Sequence, residues 1–159
     1  MGVSINVTIK GFGCGSNLVC ESEVESPHWT YTNWGRFHDN VTSALRDAYV
    51  CAKDSRNQAR DVWEEDVKEG EDSDGYALEE FERRAKLVKR LADLKTYWSG
   101  AGDEDGCVWH WESKDKVVEC LFEALTVDAA CPEPFVERGR LAHVLRYLTV
   151  TDGDSVTVA

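Results

Sequence analysis

The sequence predicts an α+β fold: a small antiparallel sheet from N-terminal and C-terminal hairpins packed against four or five helices. Three observations predict it. Val3, Ile5, Val7 and Ile9 alternate with Ser4, Asn6 and Thr8, the period of a strand with one buried face. Apolar residues then recur at three- and four-residue spacing through the middle of the chain, the period of amphipathic helices. The chain closes with Thr149-Val150-Thr151, Asp152-Gly153-Asp154 and Ser155-Val156-Thr157-Val158, two extended runs about a turn. A chain of 159 residues reads as a single domain, 1–159, long enough to bury a core without metal or disulfide staples.

The elements follow in order. After the first strand, Gly11-Phe12-Gly13-Cys14-Gly15-Ser16-Asn17 breaks the alternation and Leu18 to Val24 offers a second extended run, so the two form a hairpin about a glycine-rich loop. That loop is a poor phosphate cradle: the third fingerprint glycine falls at Ser16, no helical pattern opens behind it, and no Gly-Lys-Ser/Thr appears. The aromatic run His28-Trp29-Thr30-Tyr31-Thr32-Asn33-Trp34 is read as extended, which puts Trp29, Tyr31 and Asn33 on one face and Thr30, Thr32 and Trp34 on the other. Phe37, Val41, Leu45, Ala48 and Ala52 predict a helix over 36–53. Ala59, Val62, Trp63 and Val67 continue the stripe as a second helix or a bent extension to about Glu69. Gly70 to Gly75 is a turn by composition.

Phe81, Ala85, Val88, Leu91, Ala92, Leu94 and Trp98 mark the strongest helix. Its acids (Glu79, Glu80, Glu82) precede its bases (Arg83, Arg84, Lys86, Lys89, Arg90, Lys95), the order its macrodipole favours. Cys107 to Glu112 alternates like a short strand. Ser113 then caps a helix bearing Val117, Leu121, Ala124 and Leu125. Cys131-Pro132-Glu133-Pro134 ends that helix, and Pro134 suits the first turn of another with Leu141, Val144, Leu145 and Leu148 inward.

Composition narrows the function classes. A net charge of −12 disfavours direct nucleic-acid and membrane contact and favours basic partners. The charge is concentrated: Glu64 to Glu82 holds ten carboxylates against one lysine, a local −9, which leaves −3 for the other 140 residues. The acidic patch is Glu64, Glu65, Asp66, Glu69, Glu71, Asp72 and Asp74. Six cysteines at irregular spacing, Cys51 among them on the apolar side of its helix, read as buried thiols in a reducing, cytoplasmic compartment. No signal peptide or membrane-spanning run is visible. Cys107 and His110 have a C-x₂-H spacing, but residues three apart on a strand face opposite ways, so no metal site is expected. No pairing of cysteine with histidine has a local catalytic signature, so no catalytic residue and no cofactor is assigned.

Two aromatic segments carry the strongest binding signal, because rings interleaved with hydrogen-bonding side chains are how a pocket is lined. Trp29, Tyr31, Trp34, Trp109 and Trp111 would wall or stack a ligand; His28, Thr32, Asn33 and His110 would hydrogen-bond it; Arg36 is the nearest cation. The competing reading sends part of each cluster into the core. Trp29-Thr30-Tyr31-Thr32-Asn33-Trp34-Gly35, flanked by a hairpin and helices and followed by an aromatic strand before a terminal helix, resembles small uncharacterised bacteriophage proteins with an N-[I/V/Y]-T-[H/Y]-N segment. Here Trp29 stands where the first asparagine would fall, and Tyr31 where the threonine would. The resemblance implies a phage or mobile-element origin, action on host defence, and residence in the cytoplasm of the host cell.

Two functions are therefore expected. One is a non-enzymatic binder whose aromatic pocket sequesters a small ring-containing, nucleotide-like ligand. The other is an acidic inhibitor that docks its 64–82 carboxylates on a basic nucleic-acid-binding surface of a host protein. Exposed aromatic segments also allow a homodimer.

Overall fold

Val3, Ile5 and Val7 have no exposed surface, and the strand that carries them is the backbone of the sheet. In the computed structural model the described residues are 2–10, 17–70, 75–102, 108–130 and 138–159, without the side chains of 128–130 and 138. Their elements are β1 (Gly2–Lys10), β2 (Asn17–Val19), β3 (His28–Thr30), α1 (Tyr31–Glu69), α2 (Tyr76–Ser99), β4 (Trp109–Trp111), α3 (Lys114–Ala130), α4 (Arg138–Val150) and β5 (Ser155–Val158). The sheet is antiparallel, in the order β2-β1-β5-β4, and β3 pairs the first residues of β1. Among the described residues no helix is long and apolar enough to cross a membrane.

Register sorts the two sheet faces. Val3 lies opposite Trp29, Val7 opposite Val156, and Val156 opposite Trp111, so the apolar side chains share the face that the helices cover. Ser4, Asn6, Thr8, His28, His110 and Thr157 take the other face, where Ser4 Oγ meets His28 Nδ1 at 2.8 Å and Thr8 Oγ1 meets Ser155 Oγ at 2.7 Å. Between β2 and β3 the edge of β1 would leave the Val7 amide without a strand partner. The Tyr147 hydroxyl, brought by α4, accepts from it at 2.9 Å inside the core. Burial holds that phenol above its ordinary pKa.

The first departure from the expected elements is α1, which is one continuous helix of 39 residues. It starts at Tyr31, because the Thr30 hydroxyl accepts from the Asn33 amide and caps the first turn. The extended reading of 31–34 is thereby corrected: Trp34 is the first residue of the helical stripe Trp34, Phe37, Val41, Ala44, Leu45, not a strand residue. At its other end Gly70 takes φ 74°, a left-handed conformation favoured by glycine, and its amide closes on the Asp66 and Val67 carbonyls.

The second correction is at the C-terminus. Thr149 and Thr151 do not form a hairpin arm: α4 runs to Val150, and both hydroxyls bond back to the carbonyls of Leu145 and Tyr147. β5 instead sits between β1 and β4. β2 is also shorter than the 18–24 run. Cys51, expected inside, is exposed, while Cys120 is fully buried and donates to the Leu94 carbonyl at 3.4 Å. Burial pushes the Cys120 thiol up to about 12. The glycine loop 11–16, the acidic turn 71–74, Cys107 and the Cys131–Pro134 break, with Cys14, Cys131 and Pro134 themselves, lie outside the described residues.

Helix α1 outruns the core. Its contributions to the main cluster end at Leu45, and those of α2 lie at Leu94 and Trp98. Beyond them the two helices run antiparallel as an arm, joined by a small cluster of Ala52, Val88 and Leu91 and then by Trp63 stacked on Phe81 at 5.7 Å and 3°. From Arg46 to Glu69 the arm extends about 36 Å at the helical rise.

Candidate functional site

The two aromatic segments do meet, but they meet each other. Trp34 contacts Trp29 and Trp109 edge-on at 5.2 and 5.5 Å, and Trp111 stacks on Trp98 at 4.8 Å. His38, one turn after Trp34, completes the cluster: its ring stacks on Trp98 at 5.1 Å and lies 5.9 to 6.5 Å from Trp34, Trp109 and Trp111. Trp29, Trp34 and Trp111 are 3%, 0% and 1% exposed, so their faces are occupied by neighbouring side chains. Trp109 is only partly buried.

The polar residues of the expected site are dispersed around this cluster. Tyr31, Thr32, Asn33 and Arg36 are exposed on the first turns of α1. His28 and His110 point to the opposite face of the sheet, where His110 Nδ1 pairs with Thr157 Oγ1 at 3.0 Å. The His28 carbonyl accepts from Arg140 at 2.7 Å, and the same guanidinium lies over the Trp29 ring at 5.4 Å. A shallow hollow of about 300 Å³ on that outer face is lined by Lys10, Asn17, His110, Glu112, Asp154 and Ser155. The Ser155 hydroxyl there also donates to the Thr8 carbonyl, so part of its floor is already satisfied.

Three nitrogens in the cluster stand out. Trp34 Nε1, Trp111 Nε1 and His38 Nε2 are buried and have no hydrogen-bond partner among the described residues. Each such group costs about 1–3 kcal/mol if left unmade. Burial lowers the His38 pKa, against the smaller opposing effects of a hydrogen bond with the Trp98 backbone and of Asp39, so the ring is neutral at neutral pH. His38 was not singled out from the sequence. The signal was present, since a histidine at 38 falls on the 34, 37, 41 apolar stripe.

The acidic patch has a definite place. Glu64, Glu65 and Glu69 are exposed on the last turns of α1, and Glu79 and Glu82 on the first turns of α2, so the carboxylates gather at the far end of the arm. Asp66 turns partly inward; Glu71, Asp72 and Asp74 lie outside the described residues. Glu80 is tied to Arg84 Nε at 2.8 Å and to Arg83, which holds its carboxyl below the usual range. Arg84 also donates to the Ser55 carbonyl at 3.0 Å across the arm. Between the helices lies a cleft of about 460 Å³ lined by Gln58, Ala59, Val62, Asp66, Tyr76, Ala77, Glu80 and Arg84. Ala59, Val62 and Ala77 give it an apolar floor, and Asp66, Glu80 and Arg84 give it a rim of mixed charge.

Among the described residues no group of three or more His, Cys, Asp or Glu side chains is placed to hold a metal ion. No family model, no curated protein and no solved structure matches the chain.

Proposed function

We propose that this is a non-enzymatic interaction protein that engages a basic, nucleic-acid-binding surface of a host protein with the acidic end of its α1–α2 arm, in phage or mobile-element counter-defence. One observation carries the reading: the exposed carboxylates at 64, 65, 69, 79 and 82 are gathered where both helices have left the core. Carboxylates on an arm reach a concave basic site that the rest of the molecule is too broad to enter. The charged end is short beside a duplex, which carries one charge per about 1.7 Å, so it blocks one site rather than imitating a length of DNA.

The test is binding of the intact protein to immobilised nucleic-acid-binding proteins of the host at low and high salt. The reading expects affinity that falls steeply with salt and drops about tenfold, or ~1.4 kcal/mol, in the E64Q/E65Q/E69Q variant. Affinity indifferent to both contradicts it.

The orphaned nitrogens of Trp34, Trp111 and His38 favour a second reading, a small ring-containing, nucleotide-like ligand taken up at the aromatic end. Such a ligand would enter by opening the cluster beside Tyr31, Thr32, Asn33 and Arg36. Native mass spectrometry of the purified protein tests it. A co-purifying small molecule supports this reading, and a bare chain mass with tryptophan fluorescence unchanged across a nucleotide panel opposes it.

A further inference from the structure

We propose that the hollow on the outer face of the sheet binds a free amino acid, its carboxylate held by Lys10 and its ammonium by Glu112 and Asp154. The site lies on the face of the sheet opposite the aromatic cluster and shares no residue with the arm.

The sheet itself makes the hollow. Alternate residues of a strand share a face, and register sets Thr8 opposite Ser155, Asn6 opposite Thr157, and Thr157 opposite His110. The middle strands therefore present short side chains at Thr8, Ser155 and Thr157. Longer ones stand around them: His110 and Glu112 on and just after β4, Asp154 just before β5, and Lys10 paired in register with Asn17. The concavity of about 300 Å³ is at the small end of ligand sites.

Beneath it runs a chain of hydrogen bonds. Ser155 Oγ donates to the Thr8 carbonyl at 2.9 Å, Thr8 Oγ1 meets Ser155 Oγ at 2.7 Å and Thr157 Oγ1 at 3.4 Å, and Thr157 Oγ1 meets His110 Nδ1 at 3.0 Å. Each of the three hydroxyls has one proton to give. All four contacts carry a proton at once only when His110 donates from Nδ1. The neutral ring then keeps Nε2 as an acceptor at the rim.

The rim has charges of both signs. Lys10, Glu112 and Asp154 are exposed, and none of them is in an ion pair among the described residues. A simple anion there meets two carboxylates, and a simple cation meets the lysine. The rim does not close on a metal ion either, because among the described residues no three His, Cys, Asp or Glu side chains come together to hold one. A small zwitterion satisfies both signs with charge-assisted hydrogen bonds. The neutral groups fall on the matching sides: the Asn17 amide beside Lys10 donates to a carboxylate, and His110 Nε2, two residues from Glu112, accepts from an ammonium.

The probes are the common free L-amino acids, titrated one at a time into the intact protein labelled with ¹⁵N-histidine, and the His110 ring resonances are the readout. At least one is expected to shift them saturably. Its N-acetyl and carboxamide derivatives, each lacking one charge, should bind at least tenfold more weakly. K10Q should weaken the parent amino acid at least tenfold and the carboxamide little, whereas E112Q/D154N should weaken the parent and spare the N-acetyl derivative. All three side chains are exposed, and unchanged thermal melts by circular dichroism verify the folds. Ring resonances unmoved by every amino acid overturn the site. So does a derivative that binds as tightly as its parent, or a parent whose affinity is the same in both variants.

Discussion

Trp34 shows how one residue decides between pocket and core. Read as part of an extended run it pointed away from Trp29; placed on α1 by the Thr30 cap it packs against Trp29, Phe37 and Trp109. The β-branched and aromatic composition of 28–34 favours a strand, and the cap hydrogen bond that overrides it is a single local contact that periodicity does not register. T30A is therefore expected to cost about 1 kcal/mol in urea denaturation, the size of a lost N-cap. Trp34 and Trp111 are expected to be structural: either alanine variant loses about 3–5 kcal/mol, by the same measurement. His38 adds a pH signature. Its folded pKa is depressed by burial, so the unfolded chain takes up the proton first. The stabilisation is complete above the unfolded value of about 6.5 and is lost as pH falls from there through the folded pKa. Measured stability should therefore fall as pH is lowered from about 6.5. An H38Q variant should show a shallower slope across that window, and an unchanged slope would assign it to other groups.

At the scale of elements, the parts legible in the sequence were those written in periodicity. β1 alternates over seven residues, and the stripes of α2, α3 and α4 match the buried residues Val88, Leu91, Leu94, Trp98, Val117, Leu121, Ala124, Leu141, Val144 and Leu148. What escaped depended on single hydroxyls or on tertiary pairing. Thr149 and Thr151 have strand-like side chains, yet their hydroxyls satisfy carbonyls of the preceding helical turn. The partners of β5 are β1 and β4, both far away in sequence, where a hairpin signal has no reach. The apolar stripe of α1 weakens after Ala52 because one partner helix, rather than a core, covers it. That difference has a measurable consequence. Amides of 53–69 and 76–87 should exchange with solvent faster than those of 34–45 and 141–148, since among the described residues the arm is held by the Ala52 cluster, the Trp63–Phe81 stack and the Arg84–Ser55 hydrogen bond rather than by the main core. A W63A variant should widen the difference without shifting the body.

At the scale of the whole molecule, the acidic cluster and the main aromatic cluster lie at two different ends. The sheet and the roots of the helices use the aromatic residues to close a core, and the arm carries the acids together with exposed Val62, Val67 and Tyr76. The sequence located the acidic patch and the aromatic segments. It did not reveal that they lie at opposite ends, because that follows from α1 continuing unbroken past the core. Under the docking proposal, the Coulomb attraction of the arm for a basic partner is screened within about 8–10 Å at ordinary salt, so exposed Val62, Val67 and Tyr76 would have to prolong the contact. The most direct test of the arm as the binding element is hydrogen exchange of the intact protein with and without a nucleic-acid-binding host protein that it retains at low salt. Protection confined to 51–69 and 76–87 is the predicted result; protection at 28–38 and 109–111 with the arm unchanged would contradict it.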